Sequence, residues 1–249
     1  MEVYIVTGAS QGIGLALCRQ LIEAGQFVIG IARSADEQWS GAHFLSFDLT
    51  DLPKIQGLMG DIAGLLPKNI QSVTLINNAG TVEPIGLAYQ NDPADIQASI
   101  ALNLTAPMIL SSAFIAQFRD SEIKKSIVNI SSGAGRKVYE GWSAYCAGKA
   151  GLDHFSRVLD AETAQVKVVS VAPGIIDTGM QEKIRESDAS AFPLIDRFKG
   201  YKETGALSTP EETAAQLITL MQRPDFQSLN PILDLRNLPI YDEEKEFPQ

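Results

Sequence analysis

A tyrosine, a lysine and a serine near the middle of the chain have the types and spacing that suit proton transfer. Lys149 follows Tyr145 by four residues, and Ser132 precedes that tyrosine by thirteen. Residues at i and i+4 share one face of a helix, so the ammonium should lie beside the phenol. An ammonium favours the phenolate and is expected to lower the phenol pKa from its usual value of about 10. Such a phenol can exchange a proton with a carbonyl or an alcohol while the serine hydroxyl holds the same oxygen.

The same residue types occur elsewhere, so their spacing alone is weak support. Ser131 is an alternative to Ser132, and because side chains alternate along a strand only one of them should face the site. The spacing of the tyrosine and the lysine recurs at Tyr241 and Lys245, in the acidic tail formed by residues 240–249. That copy has no paired serine or glycine-rich turn beside it and is interpreted as incidental.

Asn103 is a candidate for a local structural reason. It precedes Pro107 by four residues in a helix predicted over residues 93–118. Proline has no N–H to donate to the carbonyl of Asn103, and its ring presses against that carbonyl. The helix should therefore bend and leave an acceptor free. A helix that is merely kinked remains the alternative.

Short β-branched segments alternate with longer helical patterns, which predicts the scaffold that positions these residues. The predicted strands are 3–7, 27–32, 43–47, 73–77, 126–131, 167–171 and 232–235. The predicted helices are 12–24, 52–66, 93–118, 143–163 and one that starts near Pro210. Alternation of this kind indicates an α/β fold with a doubly wound parallel sheet and helices on both faces. Because no linker or repeat divides the chain, residues 1–249 are predicted to form a single domain.

A glycine-rich turn follows the first predicted strand and opens a helix. Glycines allow a tight turn and close approach to a pyrophosphate, and the helix N-terminus offers free N–H groups. The spacing G-x-x-x-G-x-G differs from the common dinucleotide fingerprint, but its place between strand and helix favours nucleotide binding. The candidate residues of this turn are Gly8, Ser10, Gln11, Gly12, Ile13 and Gly14.

The end of the second predicted strand indicates which dinucleotide is bound. Chains that bind NAD usually carry an acid there for the ribose 2′-hydroxyl. This chain has Ala32 followed by Arg33 and Ser34. A guanidinium suits a 2′-phosphate, so NADP(H) is predicted over NAD(H). A surface arginine without a ligand is the alternative for Arg33.

Composition and charge exclude several classes of function. The formal net charge of -10 opposes binding to nucleic acid or to anionic membranes. No apolar run of transmembrane length is identified, and the N-terminus leads directly into a strand without a basic signal-peptide start. With two cysteines and two histidines, neither a disulfide framework nor a metal site is expected. A cytoplasmic protein is predicted.

Seven segments in a fixed order resemble the short-chain dehydrogenase/reductase family over roughly residues 3–180. They are Thr7-Gly-x-x-x-Gly12-x-Gly14, Asp48-Leu49, Asn77-Asn78-Ala79-Gly80, Asn103, Ser132, Tyr145-x-x-x-Lys149 and Pro173-Gly174-Ile-Ile-Asp-Thr178. The resemblance implies a Rossmann fold and NAD(P)-dependent carbonyl–alcohol chemistry. It implies that Asp48 lies near the adenine, Asn78 near the adenosine ribose and Thr178 near the nicotinamide amide. The further cofactor residues that it implies are Leu49, Ala79, Gly80, Pro173, Gly174 and Ile176, together with Tyr145 and Lys149.

The resemblance also implies roles for the remaining candidates. The backbone of Asn103 would bind a water in a proton relay, and Lys149 would hold the nicotinamide ribose. A homodimer or homotetramer is expected by analogy, through the helices near 93–118 and 143–163. The chain departs from the family at Gln11, where many members carry a basic residue, and after the last strand, where many are glycine-rich.

Within the family, several runs look like the branch of benzil reductases and sepiapterin reductases. The runs are Ile76–Val82, Ala106–Leu110, Asn129–Gly135, Trp142–Cys146 and Val171–Thr178. The expected reaction is reduction of one carbonyl of an aromatic or cyclic α-dicarbonyl by NADPH, with Tyr145 as proton donor. A pteridine side-chain reductase of the sepiapterin type is one alternative. A non-catalytic NADP-binding sensor or interaction protein is another.

The substrate is expected to be a small carbonyl compound bound beneath an inserted segment. Residues 179–208 interrupt the strand–helix alternation, look like two short helices and follow Thr178 directly, which suggests a lid. Tyr139, Trp142 and Met180 are candidates for an aromatic substrate pocket beside Ser132 and Tyr145; ordinary packing is the alternative for these three.

Overall fold

Seven parallel β-strands form the centre of the protein in a computed structural model that describes residues 1–34 and 43–238. The strands are β1 (Glu2–Thr7), β2 (Phe27–Ala32), β3 (His43–Ser46), β4 (Ser72–Asn77), β5 (Lys124–Ile130), β6 (Val166–Ala172) and β7 (Ile232–Asp234). The helices are α1 (Gly12–Glu23), α2 (Ile55–Leu65), α3 (Pro93–Ile100), α4 (Ala106–Phe118), α5 (Ser143–Glu162), α6 (Gly179–Glu186), α7 (Ile195–Glu203) and α8 (Pro210–Gln222). Each predicted strand is present, with its ends shifted by at most two residues.

The strand order is β3-β2-β1-β4-β5-β6-β7, and every pair is parallel. The chain winds outward from β1 in one direction through β2 and β3, then returns to the other side of β1 with β4. The chain segments that follow β1 and β4 therefore run toward opposite edges of the sheet. A crevice opens between them at the carboxyl ends of these two strands. The predicted doubly wound Rossmann fold is confirmed.

The sheet is covered on both faces, which explains why its strands are apolar nearly throughout. On one face α1 and α8 pack together over strand side chains such as Val6 and Val169. On the other face α2 and α4 pack over side chains such as Ile5 and Leu75. The two layers hold the carboxyl ends of the strands in place, and the site described below lies at that edge.

The helix predicted over residues 93–118 is divided by a π-helical turn at Ala101–Thr105. Pro107 lies two residues after this turn and cannot donate to the carbonyl four residues earlier, so the regular hydrogen-bond ladder is interrupted there. The predicted irregularity before Pro107 is therefore present, as a widened turn that contains Asn103.

The expectation that no segment is apolar enough to cross a membrane needs correction. The continuous helical run Pro93–Phe118 reaches that length, and an 18-residue stretch within it has a mean hydropathy of 1.6. Polar side chains such as Asn103 interrupt this run, so the sequence shows no unbroken apolar stretch there. In the fold this run lies against the sheet, where Leu110 and Phe114 are fully buried. A core helix of a parallel-sheet protein meets the same test of length and composition.

The two short helices predicted within residues 179–208 are present as α6 and α7. Their apolar side chains pack with residues near the start of α5 in a separate cluster that includes Trp142, Phe192 and Phe198. The predicted acidic tail, including Tyr241 and Lys245, lies outside the described residues.

Candidate active site

A cleft of about 690 Å³ opens at the carboxyl edge of the sheet, where the strand order reverses. Nearly all the residues singled out from the sequence line it. Those residues are Gly8, Ser10, Gln11, Gly12, Ile13, Arg33, Ser34, Asp48, Leu49, Asn78, Ala79, Gly80, Ser132, Tyr139, Trp142, Tyr145, Lys149, Pro173, Gly174, Ile176, Thr178 and Met180. Gly14 and Asn103 are not part of the lining and lie behind it. Segments far apart in sequence thus meet around one cavity.

The turn after β1 leaves no room for side chains at its glycines. Gly8 has φ +66°, and a Cβ there would lie 2.9 Å from the Cα of Ala79. At Gly14 a Cβ would lie 2.2 Å from the carbonyl oxygen of Gly8. Gly14 therefore allows α1 to approach the strand end closely, although it does not itself face the cleft.

The N-terminus of α1 is open toward the cleft. Gln11 occupies the N-cap with no side-chain capping bond, and the first turn carries no acidic residue. The first N–H groups of the helix and its positive dipole end are thus available to an anion. Together with the glycine turn, this arrangement fits the pyrophosphate of a dinucleotide.

Thr7 ties this turn to β4, a role that the sequence analysis did not assign to it. Its Oγ1 donates to the carbonyl of Ile76 at 3.3 Å and accepts from the backbone N–H groups of Asn78 and Ala79 at 2.9 and 3.0 Å. The Asn78 amide in turn donates to the carbonyls of Thr7 and Gly8 at 2.9 and 3.3 Å. The Asn78 side chain thereby braces the glycine turn from the neighbouring strand.

Arg33 lies exposed at the end of β2, where the sequence placed it. Ser46 on β3 donates to the Arg33 carbonyl at 2.9 Å and holds the backbone there. Asp48 accepts from the Thr50 N–H and hydroxyl at 2.9 and 2.7 Å. These bonds lower the Asp48 pKa, and the Arg33 guanidinium lowers it further. Arg33 and Asp48 therefore face the same end of the cleft.

Tyr145 lies on the first turns of α5 and is 6% exposed. Burial raises the pKa of its phenol to about 12, because the anion loses its hydration, while a hydrogen bond with Ser132 acts in the opposite direction. The expected lowering of this pKa by Lys149 was wrong, because loss of hydration is the largest effect and Ser132 is the residue that opposes it. The phenol therefore keeps its proton at neutral pH, as a proton donor must.

Lys149 lies one turn further along α5 and is 4% exposed. Its Nζ lies 5.7 Å from the centroid of the Tyr145 ring and donates to the Ile130 carbonyl at 2.8 Å. Burial lowers the Lys149 pKa to about 8, and the carboxylate of Asp153 raises it in part. The predicted helical neighbours do meet, and the lysine also anchors α5 to the end of β5.

Ser132 follows β5 and begins a 3₁₀ turn that packs closely on α5. Its Oγ accepts from the Ala134 N–H at 3.1 Å. A Cβ at Gly135 would lie 2.8 Å from the backbone of Lys149, so this turn and the helix are in direct contact. Arg136 then donates to Asp153 on α5 at 2.8 Å, and Ser170 donates to the same carboxylate at 2.6 Å. These contacts set the position of Ser132 relative to Tyr145.

Ser131 is not the serine that contacts Tyr145. It is 3% exposed, its N–H donates to the Val171 carbonyl at 2.8 Å, and its hydroxyl has no hydrogen-bond partner in the described part of the chain. Ser132 is instead the serine that lowers the pKa of the Tyr145 phenol. The geometry thus favours Ser132, as the spacing to Tyr145 does.

Asn103 is fully buried behind Gly80 and Lys149. Its side-chain oxygen accepts from the Thr81 N–H at 3.1 Å, and its amide donates to the Thr81 carbonyl at 2.8 Å. A Cβ at Gly80 would lie 2.8 Å from that side-chain oxygen. Asn103 thus supports the cleft wall beside Lys149, and a water bound by its carbonyl stays a prediction.

Aromatic side chains form the other end of the cleft. Trp142 stacks on Phe192 at 4.7 Å, meets Phe198 at 5.1 Å and meets Tyr145 edge-on at 5.6 Å between ring centroids. Tyr139 lies 5.4 Å from Trp142. Trp142 therefore packs under α7 and also lines the cleft. Ordinary packing and a place in the pocket, the two alternatives for this residue, are both present.

Several cleft residues were not singled out from the sequence. They are Gln181, Lys183, Ile184, Arg197, Phe198, Tyr201 and Arg236, contributed by α6, α7 and the segment after β7. The unusual segment after the last strand was a signal for Arg236, because family members are often glycine-rich there. The others follow only from the way α6 and α7 fold over the cleft.

The chain is similar over most of its length to proteins of one known family. The family model for short chain dehydrogenases matches residues 2–189. A benzil reductase ((S)-benzoin forming) of Bacillus subtilis is 39% identical over 229 residues, which cover 90% of this chain and 94% of that relative. A sepiapterin reductase of Meriones unguiculatus is 36% identical over 245 residues, with 91% and 93% covered. A crystal structure of a short-chain dehydrogenase/reductase from Saccharomyces cerevisiae has a TM-score of 0.83 at 28% identity, with 96% and 97% covered.

Proposed function

Because the chain belongs to the short-chain dehydrogenase family, we propose that it is an NADPH-dependent reductase of aromatic or cyclic α-dicarbonyls. It is an oxidoreductase acting on CH–OH or carbonyl groups, and the Rossmann fold of the family binds a nicotinamide cofactor. The observation that carries the proposal is the buried Tyr145, with Lys149 5.7 Å from its ring and Ser132 in the same cleft as the glycine turn. That arrangement supplies a proton at one end and a nucleotide cradle at the other.

The residues of the cleft divide the work of carbonyl reduction. Tyr145 donates its phenolic proton to the carbonyl oxygen, and Ser132 holds and polarises that oxygen. Lys149 carries positive charge below about pH 8 and stabilises the phenolate left after proton donation. Asn103 holds the wall behind Lys149 through Thr81 and Gly80.

The cofactor is proposed to lie along the cleft from Arg33 to Tyr145. The glycine turn and the start of α1 would hold the pyrophosphate, Arg33 the 2′-phosphate, Asp48 the adenine and Asn78 the adenosine ribose. Lys149 would hold the nicotinamide ribose and Thr178 the nicotinamide amide. When bound, NADPH supplies the hydride that reduces the carbonyl carbon.

Arg33→Ala is expected to raise the KM for NADPH about 10- to 100-fold and to leave the KM for NADH within about twofold. A charge-assisted pair between an arginine and a phosphate contributes roughly 1.5–3 kcal/mol to binding. NADH has no 2′-phosphate, so its binding does not depend on this pair. Steady-state kinetics with both cofactors measures this, with Arg19→Ala on the outer face of α1 as a control of equal charge. An unchanged KM for NADPH would show that Arg33 does not bind the cofactor.

The rate of reduction should not depend on pH between about 6 and 7, a range below the Lys149 pKa of about 8, whereas the reverse oxidation should rise with pH. Reduction needs the protonated phenol, which is the dominant form below its pKa of about 12. Oxidation of an alcohol needs the phenolate, whose small fraction grows about tenfold per pH unit in this range. The test is kcat for benzil reduction and for benzoin oxidation across this range. An oxidation rate independent of pH would show that the phenol titrates well below 6.

The substrate class rests on similarity to two kinds of reductase and on the aromatic end of the cleft. Tyr139, Trp142 and Phe198 offer flat apolar surfaces that suit an aryl group next to the carbonyl. The second candidate is a pteridine side-chain reductase, favoured by the 36% identity to a sepiapterin reductase. Steady-state rates of NADPH oxidation with benzil and with sepiapterin separate the two. A kcat/KM for sepiapterin above that for benzil would replace the first proposal.

A non-catalytic NADP-binding sensor is the alternative of a different class. The assembled Ser132, Tyr145 and Lys149 oppose it, because a sensor has no use for a proton donor in the cleft. We place the protein in the cytoplasm, with no nucleic-acid or membrane partner. We also propose a homodimer or homotetramer through α4 and α5, where Met108 and Val158 are exposed apolar side chains. Light scattering in solution tests this assembly, and a monomeric mass would exclude it.

A further inference from the structure

Arg236 forms part of the cleft wall just beyond the end of β7, and Asp234 holds it in place. Its Nε and Nη2 donate to Oδ1 and Oδ2 of Asp234 at 2.9 and 2.6 Å, and its backbone N–H donates to Oδ1 at 3.1 Å. The Asp234 side chain is 16% exposed and that of Arg236 is 53% exposed. A guanidinium held through two of its three nitrogens by one carboxylate has a defined orientation.

The Arg236 side chain passes beside two glycines of the cleft, with its guanidinium next to Gly133 and its methylene groups next to Gly174. A Cβ at Gly133, directly after Ser132, would lie 4.0 Å from Nη2 of Arg236. A Cβ at Gly174, directly after Pro173, would lie 3.6 Å from Cδ. The arginine therefore reaches over the turn that carries Ser132, in the same cleft as Tyr145.

Arg236 has hydrogen-bonding capacity to spare at this position. A guanidinium has five N–H groups, and the Asp234 carboxylate engages two of them. The other three have no protein acceptor within residues 1–34 and 43–238. The Asp234 hydrogen bond raises the Arg236 pKa, and Tyr139 and Tyr201 are close enough to add to that effect. Arg236 is thus a fixed cation beside the aromatic end of the cleft.

We propose that Arg236 donates a hydrogen bond to the second carbonyl oxygen of a vicinal dicarbonyl, while Ser132 and Tyr145 hold the first. This inference rests on the proposed function and names the residue that selects its substrate class. The two oxygens of a vicinal dicarbonyl lie on adjacent carbons, so they need two neighbouring sets of donors. Arg236 lies beside Gly133, the residue that follows Ser132, so Ser132 and Arg236 can supply the two sets. Asp234 is a positioning residue that orients the guanidinium.

The preference for a dicarbonyl over a simple ketone follows because a simple ketone has no second oxygen to accept the hydrogen bond from Arg236. A site with only Ser132 and Tyr145 would accept any ketone of suitable shape. A donor aimed at a second oxygen favours a substrate that has one, because the same donor gains nothing from a methylene group. A hydrogen bond from a charged donor changes binding by about 10- to 100-fold.

The test compares benzil with deoxybenzoin, which has the same two phenyl rings and only one carbonyl. The kcat/KM values for both ketones are measured with NADPH for the wild type, Arg236→Met and Arg19→Met. Benzil is intrinsically more reactive, so the quantity compared is the benzil-to-deoxybenzoin ratio of each protein. Arg236→Met should lower that ratio about 10- to 100-fold through benzil alone, whereas Arg19→Met, an equal charge change far from the cleft, should keep it.

A binding measurement separates failure of this inference from failure of the proposed function. Dissociation constants of the two ketones for the NADP⁺-loaded protein are measured by calorimetry. If neither ketone is reduced, the proposed function fails, and a benzil preference that Arg236→Met removes would still support the role of Arg236. If the wild type binds both ketones equally, or if Arg236→Met keeps the ratio, the inference is wrong. Arg236→Gln provides the same comparison if the methionine variant does not fold.

Discussion

Tyr145→Phe is expected to lower kcat for carbonyl reduction by a factor of about 10²–10⁴, the range in which a positioned proton donor contributes. The substitution removes the phenolic proton and leaves the ring, which packs edge-on against Trp142 at 5.6 Å. Because the hydroxyl lies at the substrate end of the cleft, the dissociation constant for NADPH should change by less than about threefold. Single-turnover kinetics and fluorescence titration with NADPH measure the two quantities separately.

Tyr89→Phe is the matched control, because Tyr89 is 82% exposed and the chemical change is the same. Its kcat should equal that of the wild type. A Tyr145→Phe enzyme that keeps kcat within about threefold would exclude Tyr145 as the proton donor. A wild type that binds NADPH but reduces no carbonyl compound would instead favour the non-catalytic sensor.

Gly14→Ala is expected to weaken NADPH binding by at least about tenfold and to destabilise the fold by roughly 1–3 kcal/mol. The added Cβ would lie 2.2 Å from the carbonyl oxygen of Gly8 and 2.6 Å from the Asn78 amide nitrogen. The first of these atoms belongs to the backbone, so α1 must move away from the end of β1. That movement displaces the helix N-terminus from the pyrophosphate position, and thermal melting and cofactor titration report it.

Gly60→Ala is a control of opposite sign. Gly60 lies within α2, and a Cβ there would meet nothing within 4 Å. Alanine in the interior of a helix is more favourable than glycine by about 0.5–1 kcal/mol, so this variant should melt at a higher temperature and bind NADPH normally. If Gly14→Ala behaves like Gly60→Ala, the close approach at the glycine turn is not present in solution.

Secondary structure was predictable because it depends on local patterns. A parallel strand covered on both faces reads as a continuous apolar segment, as β1 and β4 do. A single proline was enough to predict the disturbance in the helical run Pro93–Phe118. The type of disturbance could not be predicted, because a kink and a π-helical turn both accommodate the missing N–H.

The candidate site was predictable where chemistry depends on spacing within one element. Tyr145 and Lys149 are one turn apart on α5, and helical geometry alone places them together. The direction of the Tyr145 pKa shift was not predictable, because it depends on burial created by other segments of the chain. The sequence places a lysine one turn from the tyrosine, and the fold adds loss of hydration, which is the largest effect on the pKa of the phenol.

The parallel sheet, the glycine turn at Gly8–Gly14 and the residue types that carry proton transfer can be read from the sequence, because they follow from short-range periodicity and spacing. The packing of distant segments places Gly14 and Asn103 behind the cleft, places Ser132 rather than Ser131 at the phenol, and buries Tyr145 so that its pKa rises. It also places Arg236, about a hundred residues after Ser132, beside Gly133. Contacts of this kind depend on how strands and loops far apart in the chain pack against one another, and no local pattern records them.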